Sequence, residues 1–180
     1  MADSMITRWL KAMNPLHKPA DQAEAGRSAQ AMSLGLLLAL AASVPSSVWM
    51  FTSDNFARMM DQQYAAMNLS TEEVAMQQAM MEVVTPYALG FGALVTVVLY
   101  GALAFVQWRY KTRAIPMIML GLTLYSLVSS VGMMLLGSMP ETGIPMGLTL
   151  LSWIAAIVCG VIYVAALQGA LALQVMGRRA

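Results

Sequence analysis

The sequence predicts an all-α membrane protein: a four-transmembrane-helix bundle with an N-terminal amphipathic helix and an extracytoplasmic helical hairpin. Apolar residues make up 59% of the chain and charged residues only 11%, against about 25% charged in an ordinary soluble domain. The charged residues also leave four uncharged intervals, of 26, 26, 27 and 36 residues. About 20 apolar residues cross a hydrocarbon core of about 30 Å as a helix. Each interval is therefore expected to hold one span.

These intervals place the spans at 31–51, 83–107, 115–137 and 146–174. The last interval is too short for two spans and a turn, so we assign it to one long helix. The first run is not typical of a cleaved signal peptide, because its apolar stretch exceeds about 15 residues and three further spans follow. Pro45 predicts a kink or an unwound turn in the first span, with nearby serines available to bond the freed carbonyl.

The distribution of Lys and Arg predicts the orientation of the spans. Nine of the ten basic residues fall in the N-terminal segment 1–30, the connection 108–114 and the tail 175–180. The tenth, Arg58, lies on the other side together with six carboxylates. We therefore expect a multi-pass protein of the bacterial inner membrane with both termini in the cytoplasm.

The N-terminal segment is expected to begin with an amphipathic helix over 4–14. Its apolar face consists of Met5, Ile6, Trp9, Leu10 and Met13. Asn14 and Pro15 end the helix, because the residue before a proline is disfavoured in the α region. An apolar face with flanking cations suits the cytoplasmic membrane surface, and packing beneath the bundle is the alternative. Residues 18–30 are predicted to form a polar linker.

The segment 52–82 is predicted to form a helical hairpin over the outer face of the bundle. Ser70 and Glu73 form a capping box that starts the second arm, and this arm is expected to run into the second span. The other outer connection, 138–145, is a short turn.

Small residues at four-residue spacing predict where the spans pack, since close backbone approach drives helix association in lipid. The candidate packing residues are Gly35, Ala39, Ser43, Ala88, Gly92, Thr96, Ser126, Ser130, Ala156, Gly160, Ala165 and Gly169. Every span carries such a set, which favours packing within the chain. A protein partner or a homo-oligomer is the alternative use of the same residues.

The composition argues against several classes of function. No ionisable residue lies within any predicted span core, which disfavours proton- or cation-coupled transport. His17 is the only histidine and Cys159 the only cysteine, so bis-histidine haem ligation, a Ser–His pair and a thiolate zinc site lack their ligands. A net charge of +1 gives no general attraction for nucleic acid. We expect a protein without enzymatic activity and without a cofactor.

Methionine gives one further signal in the outer segment. Six thioethers fall there: Met59, Met60, Met67, Met76, Met80 and Met81. Soft thioether ligands bind Cu(I), so these are the candidate copper ligands. Methionine also fills apolar faces and adaptable binding surfaces, and this use is the expected one.

The stretch 55–113 resembles bacterial Yip1-type membrane proteins. The resemblance rests on Met76, Gln77 and Gln78, on Thr85 and Pro86 at the start of a span, and on the basic connection 109–113. It implies a multi-span membrane protein, and the family's eukaryotic members resemble trafficking adaptors. Family members have five spans, whereas this chain has four predicted ones.

Together these observations predict an accessory, assembly or scaffold subunit embedded in the lipid bilayer and bound to a protein partner or to copies of itself. A small transporter or channel component without a titratable coupling residue is the first alternative. A periplasm-facing copper-handling protein is the second.

Overall fold

The computed structural model describes residues 4–52, 61, 64, 67, 71–135 and 145–177. Within these ranges it has no β-strand and five helices, namely α1 (Met5–Met13), α2 (Gln22–Thr52), α3 (Thr71–Tyr110), α4 (Ala114–Leu135) and α5 (Met146–Gly177). The last four are long and apolar enough to cross a membrane. This confirms the all-helical class and the presence of four apolar helices of spanning length.

Helix α2 begins at Gln22, inside the stretch 18–30 that the sequence predicts as a linker. The backbone N–H of Glu24 donates to Asp21 Oδ1 (2.7 Å), and Glu24 Oε2 accepts from the N–H of Ala20 (2.9 Å). These bonds satisfy N–H groups that a helix start leaves without partners. Ala25 and Ala29 are fully buried in this added part of the helix. Capping and the burial of small residues thus extend the helix into a polar sequence.

The same helix continues through Pro45 to Thr52. Of the two predicted alternatives, the unwound turn is therefore wrong and the kink stays a prediction. Two serines near the proline bond to carbonyls of their own helix. Ser43 Oγ donates to Leu40 O (2.7 Å), and Ser47 Oγ donates to Ser43 O (2.9 Å).

Helix α3 has 40 residues and also contains a proline, Pro86. At 1.5 Å per residue it is about 60 Å long, roughly twice the thickness of a hydrocarbon core. The predicted second arm of the hairpin and the second span are therefore one continuous helix. Most of the first arm, the capping residue Ser70 and residues 138–144 of the predicted turn 138–145 lie outside the described residues.

Helix packing centres on α2, which contacts α5 most extensively and α3 next. Helix α4 packs on α5, and α1 lies against α2 and α5. The long helices that pack together run antiparallel, so the N-terminal half of α2 meets the C-terminal half of α5. The buried core lies at this level and consists of Met32, Leu36, Ala104, Met119, Cys159, Tyr163 and Ala166.

The packed level brings together the segment before α2, the α3–α4 connection and the last turns of α5. The rings of Trp9 and Trp108 stack with centroids 5.9 Å apart, and Arg113 Nη1 donates to Gln174 Oε1 (3.3 Å). We call this the basic end, because it carries Arg8, Lys11, Lys18, Arg27, Arg109, Lys111 and Arg113. The opposite end, with Asp61, Glu72 and Glu82, is the acidic end.

Candidate functional site

Three hydrogen bonds from side chains to backbone carbonyls join α2 to α3 at the basic end. We call the donors the clasp: Gln107 to Ala29 O (3.0 Å), Ser33 to Ala104 O (2.8 Å) and Gln30 to Trp108 O (3.3 Å). Gln107 has no exposed surface, and its Oε1 accepts a bond from Thr112 (3.1 Å). Interhelical bonds of this kind hold helices together where no water competes for the same groups. The clasp therefore fixes the position of α3 against α2 at the basic end.

Two glycines bring α2 and α5 together at the same level. A Cβ placed on Gly169 would lie 2.8 Å from Ala25 O and 2.7 Å from Ala29 N. A Cβ on Gly35 would lie 2.8 Å from Tyr163 Cε1. No larger residue fits at Gly169 without moving a helix, because the added atom would meet the α2 backbone. At Gly35 the ring of Tyr163 would have to shift. Gly169 therefore sets the distance between α2 and α5.

The structure contains a central cleft of about 370 Å³ between α2, α3, α4 and α5. Six hydroxyl groups line it, and three of them bond to their own helix: Ser43 to Leu40 O, Thr123 to Met119 O and Ser152 to Leu148 O. None of the described residues on its wall is charged. The central cleft therefore offers an apolar wall with few free donors.

A second cavity of about 530 Å³, the outer cleft, lies between α2 and α3 toward the acidic end. Its α3 wall includes the predicted packing residues Ala88, Gly92 and Thr96. Thr96 Oγ1 donates to Gly92 O of its own helix (2.8 Å). A Cβ placed on Gly92 would meet nothing within 4 Å. No described part of the chain therefore fills the space beside these small residues.

The predicted packing residues thus divide by position. Three are buried at the packed level, seven line a cleft and two lie elsewhere on partly exposed surface: Gly35, Ala165 and Gly169; Ala39, Ser43, Ala88, Gly92, Thr96, Ser126 and Ala156; Ser130 and Gly160.

The candidate copper ligands are only partly described. Met67, Met76, Met80 and Met81 are exposed, with Met76 the most exposed at 66%. Met59 and Met60 lie outside the described residues. Met81 Sδ lies 4.0 Å from Thr85 Oγ1. No group of three or more His, Cys, Asp or Glu residues with metal-binding geometry occurs in the described ranges. Cu(I) binding by the thioethers stays a prediction.

Neither the clasp nor Tyr163 was predicted from the sequence. The signal for the clasp was present, because Gln30 and Gln107 stand at the ends of apolar runs, close to Arg27 and Arg109. Amide side chains at that depth are expected to find partners on a neighbouring helix. Tyr163 lies in a continuous apolar run and gave no comparable signal. Its hydroxyl lies 3.5 Å from Gly35 O.

Comparison of the chain with protein-family models, curated proteins and solved structures gives no match. The resemblance to Yip1-type proteins therefore stays a prediction, and function is inferred from the clefts and the charged ends.

Proposed function

We propose that this chain is a non-enzymatic protein of the bacterial inner membrane that acts as an accessory, assembly or scaffold subunit. In this proposal the outer cleft receives a transmembrane helix of a protein partner. The observation that carries the proposal is the outer cleft itself, a cavity of about 530 Å³ that α2 and α3 line toward the acidic end. Both termini lie in the cytoplasm, consistent with the basic residues gathered at one end.

The chemistry of the outer cleft favours a helix as its occupant. Spans associate through close backbone approach, which small residues permit. Ala88, Gly92 and Thr96 recur every four residues and therefore lie along one face of α3. Because the clasp fixes α3 against α2 at the basic end, the position of this face is set in advance of binding. A prearranged groove lowers the ordering cost that a partner helix would otherwise meet.

The test uses two leucine substitutions on the same helix. Gly92→Leu fills the outer cleft, whereas Gly90 lies about 200° away around the helix and also has no atom within 4 Å of an added Cβ. We expect a stoichiometric partner to copurify from native membranes with the wild type and with Gly90→Leu, and to be lost with Gly92→Leu. Equal melting temperatures of the two variants would show that both fold.

Two outcomes would contradict the proposal. One is the absence of any stoichiometric partner of the wild type in mild detergent. The other is equal retention of that partner by both variants, which would place the binding surface elsewhere. Self-association lost only with Gly92→Leu would replace the foreign partner by a second copy of the chain.

A small transporter or channel component is the second candidate, and the central cleft favours it. Four helices contribute to its wall, and the hydroxyl groups of Ser126 and Ser152 line it. Hydroxyl-lined paths can conduct without a titratable residue. Flux of small neutral solutes into proteoliposomes, reduced by Ala156→Leu and unchanged by Gly90→Leu, would support this function. Proteoliposomes no more permeable than empty vesicles would exclude it.

A further inference from the structure

A small pocket at the basic end gathers cations from two helices. Arg8 and Lys11 of α1 face Arg27 of α2 across a cavity of about 90 Å³. We call this cavity the basic pocket. One water molecule occupies about 30 Å³ in the liquid, so the basic pocket has room for a group of several heavy atoms.

The charges that line the basic pocket do not balance. Two guanidinium groups, those of Arg8 and Arg27, stand against one carboxylate, that of Glu24. This carboxylate already accepts the backbone N–H of Ala20 at 2.9 Å, and its Oε2 lies 3.4 Å from His17 Nε2. Neither Arg8 nor Arg27 forms an ion pair with any residue in the described ranges. The basic pocket therefore suits an anion, and guanidinium groups match the oxygens of a phosphate.

The depth of the basic pocket indicates which phosphate it meets. Arg27 precedes the uncharged stretch that begins at Ser28 and the predicted span 31–51. Four residues of helix correspond to about 6 Å, and the headgroup layer of each leaflet is about 5–7 Å thick. Arg27 therefore lies at the level of lipid headgroups when α2 spans the bilayer.

The helix that supplies Arg8 and Lys11 also carries exposed apolar side chains. Met5, Ile6 and Leu10 are 71%, 73% and 60% exposed, while Ala12 of the same helix is buried against the rest of the protein. An apolar face beside cations is typical of a helix that lies at the boundary between headgroups and acyl chains. Free phosphate would make no use of this face.

We propose that the basic pocket binds the phosphate group of an anionic phospholipid, with Arg8, Lys11 and Arg27 as its ligands. Basic pockets beside membrane-spanning helices bind such headgroups. The exposed side chains of α1 contact the acyl chains of the bound lipid. A zwitterionic lipid is disfavoured, because its own cation would lie among three others.

Native mass spectrometry of the full chain in detergent tests this proposal. The probes are dioleoylphosphatidylglycerol, dioleoylphosphatidylcholine and inorganic phosphate. We expect the wild type to bind phosphatidylglycerol more tightly than phosphatidylcholine. The double substitution Arg8→Gln with Arg27→Gln is expected to weaken phosphatidylglycerol binding about 25-fold, at about fivefold for each lost cation. Phosphatidylcholine binding should not change.

The matched control removes two cations of the basic end that do not line the basic pocket, with Lys18→Gln and Arg109→Gln. It is expected to change phosphatidylglycerol binding less than about twofold. If the first double variant does not fold, Lys11→Gln should still give a loss of about fivefold.

Three results would overturn the proposal. Equal weakening by the two double variants would mean general attraction to the basic end. Equal affinity for the two lipids would mean no headgroup site. Displacement of phosphatidylglycerol by inorganic phosphate at similar concentration would mean a free-phosphate site. None of them depends on the partner helix of the outer cleft, so this test and the Gly92→Leu test fail independently.

Discussion

The two ends of the molecule use the same helices in opposite ways. At the basic end of α3, Gln107 has no exposed surface, whereas Phe91 nearer the acidic end of that helix is 68% exposed. Helix α2 shows the same gradient, from fully buried Met32 to Val48, which is 51% exposed. The helices form a packed core at the basic end, whereas their side chains are exposed toward the acidic end.

The difference shows that small residues alone do not bring helices together. Gly169 and Gly92 both belong to a four-residue pattern, but only Gly169 contacts another backbone. At the basic end, α2 and α5 are also joined by bonds from Cys159 and Tyr163 to Gly35 O. The contact between α2 and α3 has the bonds from Gln107 and Ser33. At the acidic end, Thr96 and Ser47 bond within their own helices. Polar groups directed across an interface separate the packed pairs from the unpacked ones.

The largest effect is expected for Gly169→Ala. The added methyl group would lie within 2.8 Å of the α2 backbone at Ala25 and Ala29, so α2 and α5 must separate. We expect a loss of about 3 kcal/mol in the free energy of unfolding, at the upper end of the range for overpacking. Unfolding of the detergent-solubilised chain by sodium dodecyl sulfate, followed by circular dichroism, measures it.

Gly160→Ala on the same helix is the control. An added methyl group there meets nothing within 4 Å, and alanine stabilises a helix by about 0.5–1 kcal/mol relative to glycine. The two variants should therefore change stability in opposite directions. A loss below about 1 kcal/mol for Gly169→Ala would mean that α2 and α5 are not in backbone contact.

Gln107→Ala is expected to have the next largest effect. It removes the bond to Ala29 O and the bond from Thr112, and it leaves a void in the clasp. Interhelical bonds in membrane proteins contribute about 0.6 kcal/mol on average and up to about 1.7, so we expect a loss of about 2 kcal/mol with the void included. Gln78→Ala on the same helix removes an exposed bond to Asp61 and should cost less than about 0.5 kcal/mol. Equal losses would show that the clasp does not contribute to stability.

Ser33→Ala and Ser47→Ala compare the two ends with the same substitution on one helix. Ser33 Oγ donates to Ala104 O of α3, whereas Ser47 Oγ donates to Ser43 O of its own helix. We expect a loss of about 0.6–1 kcal/mol for Ser33→Ala and almost none for Ser47→Ala. The same unfolding assay applies, and indistinguishable midpoints would contradict the contrast between the ends.

The number of spanning helices was predictable because it follows from charge spacing alone. The gap between Arg27 and Asp54 must contain an uncharged helix whatever its neighbours do. The start of α2 was not predicted, since residues 22–30 look polar in isolation. Their helix depends on the capping by Asp21 and on the contact of Ser28 with Gly169, more than 100 positions away in the chain.

The candidate sites were predictable only as residue types. The sequence indicated Gly92 and Gly169 with equal strength, because periodicity places a residue on a face without stating what faces it. The basic pocket depends on how α1 lies against α2, which brings Arg8 close to Arg27. Local patterns do not encode that distance. Contacts between residues far apart in the sequence determine which of the predicted faces packs against another helix.

The smallest effect is expected at the connection that closes the basic end. Lys111 has a φ of 51°, and its N–H donates to Gln107 O (2.9 Å), so it ends α3 in the left-handed region. That conformation costs an L-residue about 1 kcal/mol and glycine almost nothing. Lys111→Gly should therefore be more stable than Lys111→Ala by about 1 kcal/mol, since both lose the side chain that reaches Gly26 and only glycine relieves the backbone. Relative to the wild type we expect a gain of at most about 0.5 kcal/mol, because glycine also increases the entropy of the unfolded chain.

Thermal unfolding of Lys111→Gly and Lys111→Ala in the same detergent measures this difference in stability. If the alanine variant were as stable as the glycine variant, the clasp would not require a left-handed turn after Gln107, and the basic end would be closed by side-chain contacts alone.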